Sequence, residues 1–203
     1  MAEPLPAKVN STIDTRYMRQ VLGHAPTSVA VVCTLAEGQP AGCTVGSFVS
    51  VSVDPPLIAF FGMRTSATCA AIVRSGSFTV NILAADQARM CDLFARERSD
   101  RFAHAGWTAG RQGNPRLHGA VAVLDCDVES VTPTGDHEMV TGYVRDLLVA
   151  RTDADPLIFV RGALRKLAPI VVPRQGANSR GSAPAPARPT RSSYHRPRRR
   201  ASR

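Results

Sequence analysis

The chain has 203 residues, 44% of them hydrophobic, and a formal net charge of +9; its mass is 21.7 kDa and its pI about 10.2. The length suits one domain with a tail, and the composition suits a soluble globular protein. A charge of +9 invites a nucleic-acid partner, but its placement argues against one for the fold. Residues 172–203 carry nine arginines and no acid, whereas residues 1–171 carry basic and acidic residues in equal number. The basicity belongs to a tail.

The most apolar stretches, around Val29–Leu35 and Leu57–Phe61, fall far short of the roughly 18–20 residues that cross a bilayer. The N-terminus, MAEPLPAKVN, has an early acid, two prolines and no apolar core, so no secretory signal is expected. The cysteines (Cys33, Cys43, Cys69, Cys91, Cys126) are odd in number, widely spaced and without a CxxC. Neither a disulfide framework nor a zinc site is suggested. The histidines form no i,i+4 pair, so no metal is expected. The default is a reduced, cytoplasmic protein.

Residues 1–13 read as a loose segment and 14–171 as the domain. Asp14–Leu22 reads as a short helix, capped by Asp14 or Thr15, with Met18, Val21 and Leu22 on one side. Val-rich Ser28–Leu35 is a strand, and Glu37-Gly38-Gln39-Pro40 a turn. Ala41–Val53 is a hydroxyl-rich β segment, ended by Asp54-Pro55-Pro56 because tandem prolines cannot donate to a ladder. Leu57–Phe61 is a buried strand, Ser66–Arg74 a helix stopped at Gly76, and Ser77–Leu83 a strand. Asp86–Arg96 is an amphipathic helix burying Met90, Leu93 and Phe94. Ser99–His118 has no clear period and reads as a long loop. Ala120–Val131 and Glu138–Ala150 are two long strands about the turn Pro133-Thr134-Gly135-Asp136. Pro156–Arg161 and Leu164–Leu167 form a last strand pair. Six or more strands with a few short helices, not alternating βαβ, point to a mainly β barrel with helical insertions.

No GxGxxG, GxxxxGK[ST], GxSxG or SxxK is present, so nucleotide-binding and acyl-transfer signatures are unsupported. The hydroxyl ladder Cys43–Ser52 stands out. In a continuous strand, period two puts Thr44, Gly46, Ser50 and Ser52 on one face and Val45, Ser47, Val49 and Val51 on the other; a bulge or turn near Gly46 would break that register. The ladder is either an ordinary Ser/Thr-rich edge strand or a small-residue shelf for a flat ligand. Arg64-Thr65-Ser66-Ala67-Thr68 opens a helix. It is either a plain N-cap beside a solvated arginine or a phosphate site of amides, hydroxyls and one guanidinium. His137, at a hairpin turn, is either simply exposed or poised at a barrel rim to orient a substrate.

The run GCTVGSFVSVSVDPP at 42–56, RTSAT at 64–68, FTVNIL at 78–83 and Gly135-Asp136-His137 resemble, in order and spacing, the motifs of the short-chain flavin reductase family, over about residues 14–167. The pattern is similar to the reductase partners of two-component flavin-dependent monooxygenases. The resemblance implies an antiparallel, Greek-key, FMN-binding split β-barrel with FMN or FAD as cofactor and NADH or NADPH as co-substrate. It also implies a homodimer and a separate monooxygenase that receives the reduced flavin. It assigns Thr44, Val45, Gly46, Ser47, Ser50, Val51 and Ser52 to the flavin ring and ribityl chain. Arg64, Ser66 and Thr68 go to the phosphate, Phe102 to an aromatic contact near the flavin, and His137 to the nicotinamide or flavin at the rim. Two residues depart from the family pattern: Gly46 stands where Asn is usual, and Ser28 where Gly is usual. Hydride passes directly between the two rings, so the lack of an acid–base constellation is expected.

Two other readings compete. One is a split-barrel flavin binder without turnover; the other is a polyanion binder acting through RPRRRASR at 196–203. The tail is rich in Arg, Pro, Ala, Ser and Gly and is expected to be disordered. The chain has 23 arginines against 2 lysines, the bias of a GC-rich gene, so the tail also reads as a shifted or extended reading frame.

Overall fold

The computed structural model describes residues 13–96 and 100–169. The chain partitions into a compact unit over Met1–Ala168 and a second segment over Pro169–Arg203, of which Pro169 alone is described. The expected loose segment 1–13, apart from Ile13, and the expected tail 172–203 lie outside the described residues.

The elements, in chain order, are α1 (Thr15–Leu22), β1 (Thr27–Ser28), β2 (Ala30–Ala36), β3 (Gln39–Val45), β4 (Val49–Ser52), β5 (Leu57–Met63), α2 (Ala67–Ser75) and β6 (Ser77–Ile82). They continue with α3 (Ala88–Ala95), α4 (Arg101–His104), β7 (Trp107–Ala109), β8 (Pro115–Leu117), β9 (Ala122–Thr134), β10 (His137–Val149), β11 (Ile158–Val160) and β12 (Ala163–Arg165). Helix α1 starts where the Asp14 carboxylate accepts the Arg16 amide at 2.9 Å. Helix α2 starts where the Ser66 hydroxyl accepts the Cys69 amide, and stops at Gly76 with a φ of 72°.

Seven strands make one antiparallel sheet in the order β3-β2-β6-β9-β10-β5-β4. The hairpins β2–β3, β4–β5 and β9–β10 are joined through β6, which lies between β2 and β9. Sheet neighbours are therefore not all chain neighbours, as in a Greek key. The sheet is not closed by a ladder; it is a split β-barrel with short helical insertions. Strand β2 explains its own sequence. Ala30 and Val32 face a core with Phe60, Phe78, Val80 and Val140, while Val31 and Cys33 face a second core with Leu83, Phe94 and Leu117. A strand covered on both faces reads as an unbroken apolar run.

The hydroxyl-rich segment expected over Ala41–Val53 is two strands, broken near Gly46. Strand β3 ends at Val45 and β4 begins at Val49, and the two lie at opposite edges of the sheet. Gly46–Phe48 carries the chain across the gap. There the Ser47 hydroxyl donates to the Phe61 carbonyl at 2.9 Å and accepts the Phe61 amide at 3.0 Å. The β4 ladder on β5 reaches only as far as Ala59, so one side chain supplies the next partner that a strand would have given.

The expected loop at 99–118 contains α4 and a hairpin, β7–β8. Its order comes from buried side chains on the barrel rather than from any apolar period of its own. Thr79 Oγ1 donates to the Pro115 carbonyl at 2.6 Å, and Asn81 Oδ1 accepts the Leu117 amide at 2.7 Å. Asn114 Oδ1 accepts the Leu35 amide at 2.8 Å, and its Nδ2 donates to Ser77 Oγ at 2.9 Å. The expected four-residue turn at 133–136 is tighter: Thr134 pairs with His137, and Gly135 takes a φ of 65°. Glycine at the first of two central positions matches a II′ hairpin.

Ser47→Ala leaves both main-chain groups of Phe61 without that partner. We expect a loss of about 1–3 kcal/mol in unfolding free energy, read as a lower denaturant midpoint. An unchanged midpoint would mean that the hydroxyl bridge contributes nothing.

Candidate active site

The gap that Ser47 spans is also the mouth of the main cleft, of ≈ 910 Å³. Its floor is the end of β3 and the crossing Gly46–Ser47, its opposite wall Phe61–Met63 of β5, and its head the start of α2 at Thr65–Cys69. Two glycines keep it flat. A Cβ on Gly62 would fall 2.1 Å from Cys69 Sγ, and one on Gly46 would fall 3.0 Å from Thr27 Oγ1.

Of the residues singled out in the sequence, Thr44, Val45, Gly46, Ser47, Ser66, Thr68 and His137 meet in this cleft. Most of their side chains already have partners. Thr44 Oγ1 donates to the Cys91 carbonyl at 2.9 Å, Thr68 Oγ1 to the Gly42 carbonyl at 3.3 Å, and Val45 is buried in the barrel core. What the floor offers a ligand is therefore mainly backbone.

Ser50, Val51 and Ser52 do not join them. They lie on edge strand β4, with Ser50 and Val51 exposed, because the crossing at 46–48 carries the chain to the other edge of the sheet. Arg64 is exposed and outside the cleft wall; its amide donates to the Asp136 carbonyl at 3.2 Å. Phe102 stands behind the wall, edge-on to Phe94 at 5.1 Å and to Trp107 at 6.3 Å; Phe94 is the ring that lines the cleft.

At the head, Ser66 donates its amide to the Met63 carbonyl, and its hydroxyl takes the Cys69 amide. Among the described residues no acceptor is assigned to the amides of Ala67 and Thr68, which leaves two helix N-terminal donors at the cleft. The cationic side chains on the wall are Arg96 and Arg101, not Arg64. Arg101 donates to the Gly42 carbonyl and lies 5.9 Å from the Phe94 ring centre. His137 sits at the rim, its Nδ1 2.7 Å from an Asp136 carboxylate oxygen. That hydrogen bond and the imidazole charge hold the Asp136 carboxyl below the usual range.

Reading the sequence missed Thr27, Cys43, Gly62 and Cys69, which come from four separate elements and share no local pattern. Cys43 and Cys69 both line the cleft, the first half-buried and the second buried. The Cys43 thiol pulls Cys69 down to about 7, aided by the Ser66 hydroxyl and opposed by burial. The Cys69 thiol, with desolvation, pushes Cys43 up. Burial pushes Cys33 and Cys91 up, and Cys126 to about 12. Among the described residues no group of three or more His, Cys, Asp or Glu could hold a metal ion. No helix among them is long and apolar enough to cross a membrane.

Residues 22–168 match the family described as flavin reductase like domain. The chain is 42% identical over 155 residues to a flavin reductase of Pseudomonas putida, covering 76% of this chain and 91% of that one. It is 41% identical over 157 residues to the reductase subunit HsaB of a flavin-dependent monooxygenase of Rhodococcus jostii, covering 77% and 80%. Among solved structures it resembles the NADH:FAD oxidoreductase SgcE6 of Streptomyces globisporus, in complex with NAD and FAD fragments. That likeness has a TM-score of 0.75 at 30% identity, over 82% of this chain and 100% of that one.

In a pH titration followed by far-ultraviolet thiolate absorbance, one thiolate per chain should appear as pH rises through about 7. It is absent below that pH, complete above it, and lost in Cys69→Ser. A titration with no step below the ordinary thiol range would contradict the assignment.

Proposed function

The chain belongs to the flavin reductase like family, and from that membership and the cleft we propose that it is an NAD(P)H:flavin oxidoreductase supplying reduced flavin to a separate monooxygenase. The observation that carries this reading is a flat, glycine-floored cleft running into an unclaimed helix N-terminus. That shape fits a planar ring with a phosphate at one end.

FMN or FAD, when bound, supplies the hydride acceptor for NADH or NADPH. The chain's own residues bind and orient. The main chain of Val45–Ser47, with Gly62 opposite, makes a floor low enough for a ring to lie on. Ser47 holds that floor to β5, so its hydroxyl acts as a strut and its backbone faces the ligand. The amides of Ala67 and Thr68 receive the phosphate, with Arg96 and Arg101 supplying positive charge nearby. His137, fixed by Asp136, positions the nicotinamide at the rim. None of these groups needs to move a proton for hydride to pass. The few charged contacts favour a flavin that exchanges, as a carrier to a second protein must. All five thiols are free, which fits a reducing cytoplasm.

We also propose a homodimer. Helix α1 buries none of its residues and exposes Tyr17, Met18, Val21 and Leu22 along one side. Edge strand β4 exposes Val49 and Val51, with Val53 88% exposed just beyond it. An eight-residue helix has little stability by itself and is expected to need a surface to pack on.

Steady-state oxidation of NADH and NADPH against FMN, FAD and riboflavin tests the activity. Consumption should require flavin, and no flavin-dependent rate above buffer would overturn the proposal. Quenching of flavin fluorescence without turnover would support the pure binder instead. Light scattering should give twice the 21.7 kDa chain mass, reduced toward the monomer by charged substitutions at Met18 and Val21; a monomer at all concentrations would refute the dimer.

A further inference from the structure

Most hydroxyls along the cleft are already committed within the fold. Thr44 donates to the Cys91 carbonyl, Ser47 bridges to Phe61, Ser66 takes the Cys69 amide and Thr68 holds the Gly42 carbonyl. Thr65 is exposed at the head. Thr27 differs from all of these. It lines the cleft and is half-buried, yet among the described residues its Oγ1 has no hydrogen-bond partner. Nor is that oxygen sealed inside, since the buried side-chain oxygen without a partner among those residues is Asp125 Oδ1. Thr27 Oγ1 therefore opens to the cleft. Its place is fixed from two sides. Strand β1 pairs with β11 so that Thr27 lies opposite Phe159, and directly opposed residues share a face of the sheet; Phe159 lines the cleft as well. On the other side, a Cβ on Gly46 would fall 3.0 Å from Thr27 Oγ1. The hydroxyl thus stands over bare floor, in the volume that a side chain at 46 would reach. A β-branched residue has few χ1 choices there, so the oxygen is held in place before any ligand arrives.

We propose that Thr27 is the residue that orients the flavin ring, its hydroxyl hydrogen-bonding the polar edge of the isoalloxazine at the Gly46 floor. This deepens the function proposed above and rests on it. A flat floor supports the face of a ring but lets the ring slide and turn in its own plane. One polar group at a fixed point on the edge stops that motion, which is how a mostly apolar site sets orientation. A hydroxyl both donates and accepts. It therefore suits an edge whose ring nitrogens gain hydrogens on reduction, and it serves oxidised and reduced flavin alike. Being neutral, it costs less to desolvate than a charge would, as an exchanging ligand requires. Phe159, on the same face of the small sheet, adds an apolar neighbour beside the hydroxyl. The labour is then divided along the cleft: the first amides of α2 take the phosphate, and Thr27 takes the ring.

The test titrates riboflavin and FMN into the full chain and follows quenching of flavin fluorescence. Thr27→Val keeps the branched shape and removes the hydroxyl. Affinity for both flavins should fall by the same factor, about tenfold (about 1.4 kcal/mol), because the two share the ring and differ in the phosphate. Thr27→Ser keeps the hydroxyl and should keep most of the affinity. Thr27→Ala should lose what Thr27→Val loses. Adding Gly46→Ser to Thr27→Ala returns a hydroxyl to the vacated volume from the opposite side, and should recover part of the affinity for both flavins; adding Gly46→Ala should not. Unchanged affinity in Thr27→Val, or a loss for FMN alone, would overturn the proposal, the second because it moves Thr27 to the phosphate. If Thr27→Val lowers the unfolding midpoint of the ligand-free chain, the two Gly46 variants decide: recovery with serine only supports the role, and no difference between serine and alanine overturns it. A parent chain that binds neither flavin overturns the proposed function and this role together. A parent that binds both and oxidises NADH, with Thr27→Val binding equally well, overturns this role alone.

Discussion

The hydroxyl of Ser47 holds the two halves of the barrel in register at the place where no ladder does. Strand β4 stops pairing with β5 two residues before Phe61, and β3 has already ended at Val45. Backbone groups left unpaired inside a protein cost about as much as a lost hydrogen bond each, so the split is stable because a side chain satisfies both groups of Phe61. A full strand there would fill the gap; a residue without a hydroxyl would leave it unbridged. The cleft is what remains when the barrel is tied at one point instead of zipped.

The polar residues of β6 play a related part on the opposite face. Thr79 and Asn81 are fully buried, yet they take the carbonyl of Pro115 and the amide of Leu117. They dock a short hairpin that has no apolar pattern of its own. Arg116 in that hairpin pairs with Asp125 of β9, and with Asp146 of β10 at 2.6 Å. Removing the arginine would leave a buried carboxylate without its cation, an arrangement that costs more than the pair contributes. The motif Phe78–Leu83, which marks the family in the sequence, thus has a structural task behind the site rather than a role in touching the ligand.

The sequence was most legible where one element decides its own form. The α1 and α2 caps, the long β9–β10 pair and the doubly covered β2 all stand close to where period and capping residues put them. It was least legible where partners are distant in the chain. Ser50, Val51 and Ser52 share a local pattern with Thr44 and Gly46, but a three-residue crossing sends them to another edge. Arg64 precedes the helix that would hold an anion, yet Arg96 and Arg101 on the far wall face the cleft. Phe102 supports the wall from behind, leaving Phe94 to line it.

By itself the sequence determined the family, the mainly β architecture and the concentration of the excess positive charge in residues 172–203. Those follow from local periodicity, small residues and motif order, which are properties of short segments. Tertiary structure alone decided which hydroxyls are spent as struts, which arginines line the cleft, and that Gly62 leaves the room Cys69 Sγ occupies. Each of those depends on atoms from strands and helices tens of residues apart meeting at contact distance, and no local spacing encodes such a meeting.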